Sequence, residues 1–188
     1  MTDKPTALDL PMAKPLPEPT QKYFDTCKEK LGIVPNVLQA YAFDIDKLNA
    51  FTAFYNDVML AKSGLSKLER EMIAVVVSSI NRCFYCMTAH GAAVRELSGD
   101  PIFGEKLVMN YRTASLNQRH KAMLDFAALM TETSHQIEEL DRNKLRVAGF
   151  SERDIWDIVA VTGFFNMTNR IASATDMQPN SEYHSQSR

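Results

Sequence analysis

The run Leu65-Ser66-Lys67-Leu68-Glu69-Arg70-Glu71-Met72-Ile73-Ala74-Val75-Val76 announces a helix and sets the period for the rest of the chain. Its apolar residues Leu65, Leu68, Met72, Ile73 and Val76 recur at three and four, the spacing of one helix face. Ser66 is placed to cap that helix, with Glu69 at the capping-box position. Val75-Val76-Val77 has poor helix propensity, which predicts burial on several sides, as for a helix inside an assembly. Outward from this run the signals repeat. Ser63-Gly64 ends the preceding helix, and Asp100-Pro101 opens a short one. Asn117 can cap a helix to about Thr133, and Gly149 closes one that starts near Gln136. Ser151 then caps a long final helix, striped by Ile155, Ile158, Val159, Thr162 and Phe165. Between Asn36 and Gln178 there is one proline, Pro101, and strand-like alternation is hard to find. The expectation is an all-α, single-domain bundle of about eight helices.

The chain's 188 residues suffice for one domain with a real core. Hydrophobic content of 45% and charged content of 23% are those of an ordinary globular protein. A formal net charge of -2, with Lys and Arg scattered, argues against nucleic acid or an anionic membrane as partner. No run approaches the roughly 18 apolar residues that a membrane span requires. Residues 1–20 lack the apolar centre of a secretory signal, so a cytoplasmic location is expected. Five of the eight prolines fall in residues 1–19, which read as a Pro-rich arm, either disordered or laid across the protein or a neighbouring subunit. Residues 20–176 form the helical domain, and 177–188 a polar tail expected to fray.

The chemistry concentrates in Cys83-Phe84-Tyr85-Cys86-Met87-Thr88-Ala89-His90. Steps of three and four put Cys83, Cys86 and His90 on one face of a helix. Asn81 is a good N-cap, which would set both cysteines in the first turn. There the helix N-terminus lowers a thiol pKa, most strongly for Cys83. His90 can accept or relay a proton, and Glu71, from the preceding helix, can orient it. Structural zinc on Cys83, Cys86 and His90 stays open, although a fourth ligand has no matching spacing. A thioredoxin-type oxidoreductase needs a βαβ context that these helical flanks lack. Two cysteines packed as small hydrophobes complete the alternatives. Asn166, Asn169 and Arg170 are polar residues on an otherwise apolar helix, so they are candidates for the lining of an active-site pocket. Cys27 reads as a packing residue. Trp156 and Phe164-Phe165 read as core or subunit interface.

Glu71, eleven intervening residues, Cys83-x-x-Cys86, three more and His90 resemble the pattern of alkylhydroperoxidase D-like proteins, within the carboxymuconolactone decarboxylase superfamily. Gly32-Ile33-Val34-Pro35-Asn36-Val37-Leu38 resembles the subgroup of peroxidase-related enzymes. So do Leu145-Arg146-Val147-Ala148-Gly149-Phe150-Ser151 and Asn166-Met167-Thr168-Asn169-Arg170-Ile171-Ala172. The resemblance covers roughly residues 20 to 176. It implies an all-helical fold packed as a homo-oligomer, a trimer or hexamer, and a thiol-dependent peroxidase that reduces hydrogen peroxide or organic hydroperoxides. In the implied roles Cys86 is the peroxidatic thiol, Cys83 resolves it, and His90 and Glu71 relay protons. This order opposes the dipole argument, which favours Cys83 as thiolate. Described members carry a histidine where this chain has Tyr85, which implies either a shorter relay or a slower activity; Tyr85 stands as a pocket residue. No metal or organic cofactor is implied, and the implied reductant is a thiol or lipoyl-type partner protein. A lactone decarboxylase of the same fold and a non-enzymatic redox sensor are the rival readings.

Overall fold

In the computed structural model, which describes residues 4–188, nine α-helices and no strand are found among the described residues. They are α1 (Glu18–Leu31), α2 (Asn36–Tyr41), α3 (Ile45–Tyr55), α4 (Lys67–Ile80), α5 (Phe84–Ser98), α6 (Pro101–Asn110), α7 (Gln118–Thr133), α8 (Glu139–Val147) and α9 (Glu152–Ala174). No helix among the described residues is long and apolar enough to cross a membrane.

The starts and stops follow the local chemistry. The Ser66 hydroxyl accepts from the Glu69 N–H at 3.1 Å while the Glu69 carboxylate accepts from the Ser66 N–H at 2.8 Å, the expected capping box. Asp100, Asn117 and Ser151 cap α6, α7 and α9 through their side chains. Gly149 ends the α8 turn at φ +89°, a left-handed conformation that suits a residue without Cβ.

Helix α4 lies at the centre, against α5, α6, α7 and α9. Met72, Ile73, Val75 and Val76 are wholly buried there. The predicted many-sided burial of the valine run is therefore supplied by this chain's own helices. Burying four such side chains contributes on the order of 1.5–3 kcal/mol each.

Of the two alternatives for the arm the structure shows the docked one, and the tail differs from the expected fraying; Met1, Thr2 and Asp3 of the expected arm lie outside the described residues. The arm lies across the bundle: the Ala7 N–H donates to the Thr175 carbonyl and the Ala13 N–H to the Ala42 carbonyl, both at 2.9 Å. Met12 and Leu16 pack against a small core around Phe24, Leu38 and Leu48. The tail is polar but docked rather than frayed. The Gln178 N–H donates to the Pro5 carbonyl, Asn180 accepts from the Asn36 N–H at 2.7 Å, and Met177 is buried. The buried Arg95 guanidinium donates to the Gln186 carbonyl at 3.0 Å and the Tyr183 carbonyl at 2.8 Å. Those bonds satisfy carbonyls that a frayed tail would leave to water.

Gly104 is where α6 crosses α5, and a Cβ there would lie 2.6 Å from Arg95 Cγ. Because Arg95 is pinned to the tail at two carbonyls, it cannot swing aside freely. Gly104→Ala is expected to cost about 1–3 kcal/mol, lowering the thermal midpoint by about 2–4 °C for each. An unchanged melting temperature would show that Arg95 is not held as described.

Candidate functional site

The turn between α4 and α5 builds the site. Asn81 does not cap α5 as expected; it remains the last turn of α4. Its side-chain amide donates to Asn166 Oδ1 at 3.1 Å and Asn169 Oδ1 at 2.9 Å. Arg82 takes the left-handed conformation, φ +54°, and reverses the chain. Cys83 is thereby the N-cap residue itself, and its N–H donates to the Ser78 carbonyl at 3.0 Å. Cys86 is the third helical residue, so both cysteines stay at the positive end of α5.

The two sulfurs are buried and free of a disulfide. The Cys86 thiol donates to the Cys83 sulfur and lowers the Cys83 pKa to about 7 against the opposing effect of burial. The Cys86 N–H, the Ser173 side chain and the nearby His90 add to that lowering. The same shared proton, with burial, drives Cys86 upward, while Asn169 and Ser78 pull it back. The helix-terminus expectation that Cys83 is the more acidic thiol thus has a geometric basis.

His90 and Glu71 meet as expected: Nδ1 and Oε2 are 2.7 Å apart, and both side chains are largely buried. An ionised carboxylate only accepts, so this bond places the proton on Nδ1 and leaves Nε2 as an acceptor. The Phe165 ring packs edge-on against the imidazole, centroids 4.5 Å apart, and fixes its plane.

A cavity of about 620 Å³ opens beside this pair. Cys86, His90 and Tyr85 lie on its wall, whereas Cys83 does not. Tyr85 is fixed there by a hydrogen bond from the Val37 N–H to its hydroxyl at 3.1 Å, which ties the Gly32–Leu38 segment to the cysteine turn. No group of three or more His, Cys, Asp or Glu side chains that could hold a metal ion occurs among the described residues.

Asn166 and Asn169, expected in the pocket, are not on the wall of this cavity. They lie behind the cysteines in a closed amide network. Asn169, wholly buried, donates to Ser78 Oγ at 3.0 Å, and Asn166 donates to Thr131 and the Thr162 carbonyl. The physical reason is satisfaction: a buried amide must pair all its groups, and Asn81 supplies the partner. Arg170 is exposed and bonds Asn166.

Several cavity residues gave no signal in the sequence. Beside the expected Tyr85, four further tyrosines, Tyr23, Tyr41, Tyr55 and Tyr183, converge on its wall. Burial raises the Tyr183 phenol to about 12, with the Glu71 charge adding to it, and pushes Tyr55 and Tyr85 well above the usual range. All three are neutral donors near neutral pH. Cys27, expected in packing alone, also lines the cavity, and burial raises its thiol pKa.

The Carboxymuconolactone decarboxylase family matches residues 46–101, a span that holds Glu71, Cys83, Cys86 and His90. A solved structure of an uncharacterized peroxidase-related protein from Silicibacter sp. TM1040 is 72% identical, with TM-score 0.97 over 100% of both chains. The alkylhydroperoxidase AhpD core of an uncharacterized peroxidase-related protein from Ralstonia eutropha JMP134 is 37% identical, with TM-score 0.95 over 100% of this chain and 98% of that one. The debrominase Bmp8 shares the fold at 19% identity, with TM-score 0.80 over 96% of each chain. No curated protein matches the sequence.

Proposed function

Because the chain belongs to the alkylhydroperoxidase D-like proteins of the carboxymuconolactone decarboxylase superfamily, we propose that it is a thiol-dependent peroxidase. The observation that carries the reading is Cys86 on the cavity wall beside a histidine already bonded to a carboxylate.

In the proposed cycle His90 Nε2 takes the Cys86 proton while Glu71 stabilises the imidazolium. The Cys86 sulfur attacks the outer oxygen of a hydroperoxide: an S–O bond forms, the O–O bond breaks, and the alkoxide leaves. That alkoxide takes its proton from His90, the neutral phenols of the wall serving as further hydrogen-bond donors. Cys83, already the acidic thiol, then attacks the Cys86 sulfenic acid. An S–S bond forms and hydroxide departs to become water. Two thiols and one hydroperoxide give a disulfide, an alcohol and water. An external dithiol, on a lipoyl-type or thioredoxin-like partner, restores the pair.

A homo-oligomer belongs to the same reading. The exposed Trp156, Met167 and Ile171 on α9 offer apolar surface for helix packing between copies. A decarboxylase reading has less support, since a lactone requires no dithiol.

The test is stopped-flow oxidation of the reduced protein by hydrogen peroxide and cumene hydroperoxide, followed from acid to alkaline pH. Thiolate is the reactive form above a thiol's pKa and thiol below it. The second phase, attack of the Cys83 thiolate on the Cys86 sulfenic acid, is expected to reach half its plateau near pH 7 rather than near 9, the ordinary value. Oxidation no faster than that of a simple thiol at every pH would remove the peroxidase reading.

A further inference from the structure

We infer that the cavity selects a hydroperoxide carried on an apolar carboxylic acid, with the carboxylate held at the mouth by Lys30 and Lys67. The inference rests on the peroxidase reading for the reaction, and on the cavity alone for the ligand.

Size is the first observation. The cavity's 620 Å³ falls among sites for drug-sized ligands, about 300–1,000 Å³, whereas a water molecule occupies about 30 Å³. Hydrogen peroxide, a molecule of two oxygens, would leave most of the space to solvent.

The wall is the second. Tyr41, Phe51, Phe164 and Phe165 stack or meet edge-on around it, with Leu38 and Met177 filling between them. These surfaces favour an apolar body. The hydroxyls of Tyr41, Tyr55 and Tyr183 have no hydrogen-bond partner among the described residues, so polar points remain available along the path to Cys86. Such a lining suits a chain that is mostly hydrocarbon and carries one oxygenated position.

Charge is the third. The wall includes two ammonium groups, Lys30 and Lys67, and no carboxylate. Over the whole chain acidic residues outnumber basic ones, 23 to 21. Lys30 closes α1 and Lys67 opens α4, so two separate elements bring positive charge to one mouth. Neither lysine is in an ion pair among the described residues, and both are exposed. The positive end of the α4 macrodipole adds to the field at Lys67. The exposed Leu31 and Leu60 stand on the same wall, so the charged head would sit where the apolar surface meets water. An anionic head at the mouth and an apolar body inward would present the hydroperoxide to Cys86. Electron bookkeeping is unchanged: the bound peroxide is reduced to the hydroxy acid and water as the thiols become a disulfide.

The experiment compares linoleic acid hydroperoxide with its methyl ester as oxidants of the reduced full-length chain, in wild type and in the Lys30→Ala/Lys67→Ala double variant. The expected result is a preference for the acid of about tenfold, from two solvent-exposed ion pairs, that falls towards one in the double variant and in high salt. A second readout needs no peroxide: protection of Cys86 from iodoacetamide by laurate against dodecanol, with Cys86 labelling read by mass spectrometry. Laurate is expected to protect better, and only while the lysines are present. Acid and ester reduced alike, or laurate and dodecanol protecting alike, would overturn the inference even if hydrogen peroxide oxidises the pair rapidly. Lysine-dependent protection without oxidation by any hydroperoxide would leave the ligand class standing and remove the peroxidase reading.

Discussion

Cys86→Ser is expected to abolish peroxide-driven oxidation at this site, and Cys83→Ser to stop it at a sulfenic acid on Cys86 that dimedone traps. Acidity alone argues the reverse, since Cys83 is the thiol lowered to about 7. Access decides between them. Cys83 is 1% exposed and off the cavity wall, and Cys86 is on it. A thiolate that no peroxide can reach does not react, however acidic its parent thiol. The low pKa of Cys83 suits the second step, in which it attacks a sulfur already beside it. The two thiols share a proton, so the pair titrates as a unit and Cys86 becomes nucleophilic once that proton passes to His90. A sulfenic acid trapped at Cys83 in the Cys86→Ser protein would exchange the two roles.

His90→Asn is expected to slow oxidation by about 10²–10⁴-fold, the usual contribution of a positioned acid–base group. Glu71→Gln should lose less, because His90 keeps a hydrogen-bond partner while losing the charge that stabilises its protonated form. The readout that separates relay from scaffolding is the pH profile. With the relay removed, the rate should depend more steeply on hydroxide at high pH, while the melting temperature stays near that of the wild type. Equal rates in wild type and His90→Asn at neutral pH would show that the imidazole is idle.

Most of the helical frame was legible because its punctuation is chemical and local. Ser66, Asp100, Asn117, Gly149 and Ser151 each act on backbone groups within a few residues, so the predicted stops and starts match the observed ones closely. The contact between Glu71 and His90 was legible for a similar reason: they lie on adjacent helices of a recognisable spacing, and they meet at 2.7 Å. What failed depended on distant partners. Asn81 has the makings of an N-cap, but it pairs with Asn166 and Asn169, more than eighty residues on. Arg82 carries the left-handed turn that a glycine would have advertised. The tyrosines of the cavity are scattered from Tyr23 to Tyr183 with no period to connect them. The tail's composition reads as solvated, and the carbonyls that hold it to Arg95 have no signature in side-chain identity.

The clasp between the two ends bears on when the cavity exists at all. Ala7 bonds Thr175 and Gln178 bonds Pro5, so the arm and the tail hold one another over the bundle. A contact between such distant parts of the chain closes cheaply only after the helices between have already brought the ends together. The clasp is therefore the last piece to assemble and the first able to let go, a local opening that leaves the α4 core intact. Tyr183, farther along the tail, is held at its carbonyl by Arg95 and lines the cavity wall. On a growing polypeptide the cysteine turn is made before the tail residues Met177 and Tyr183 that complete the cavity wall.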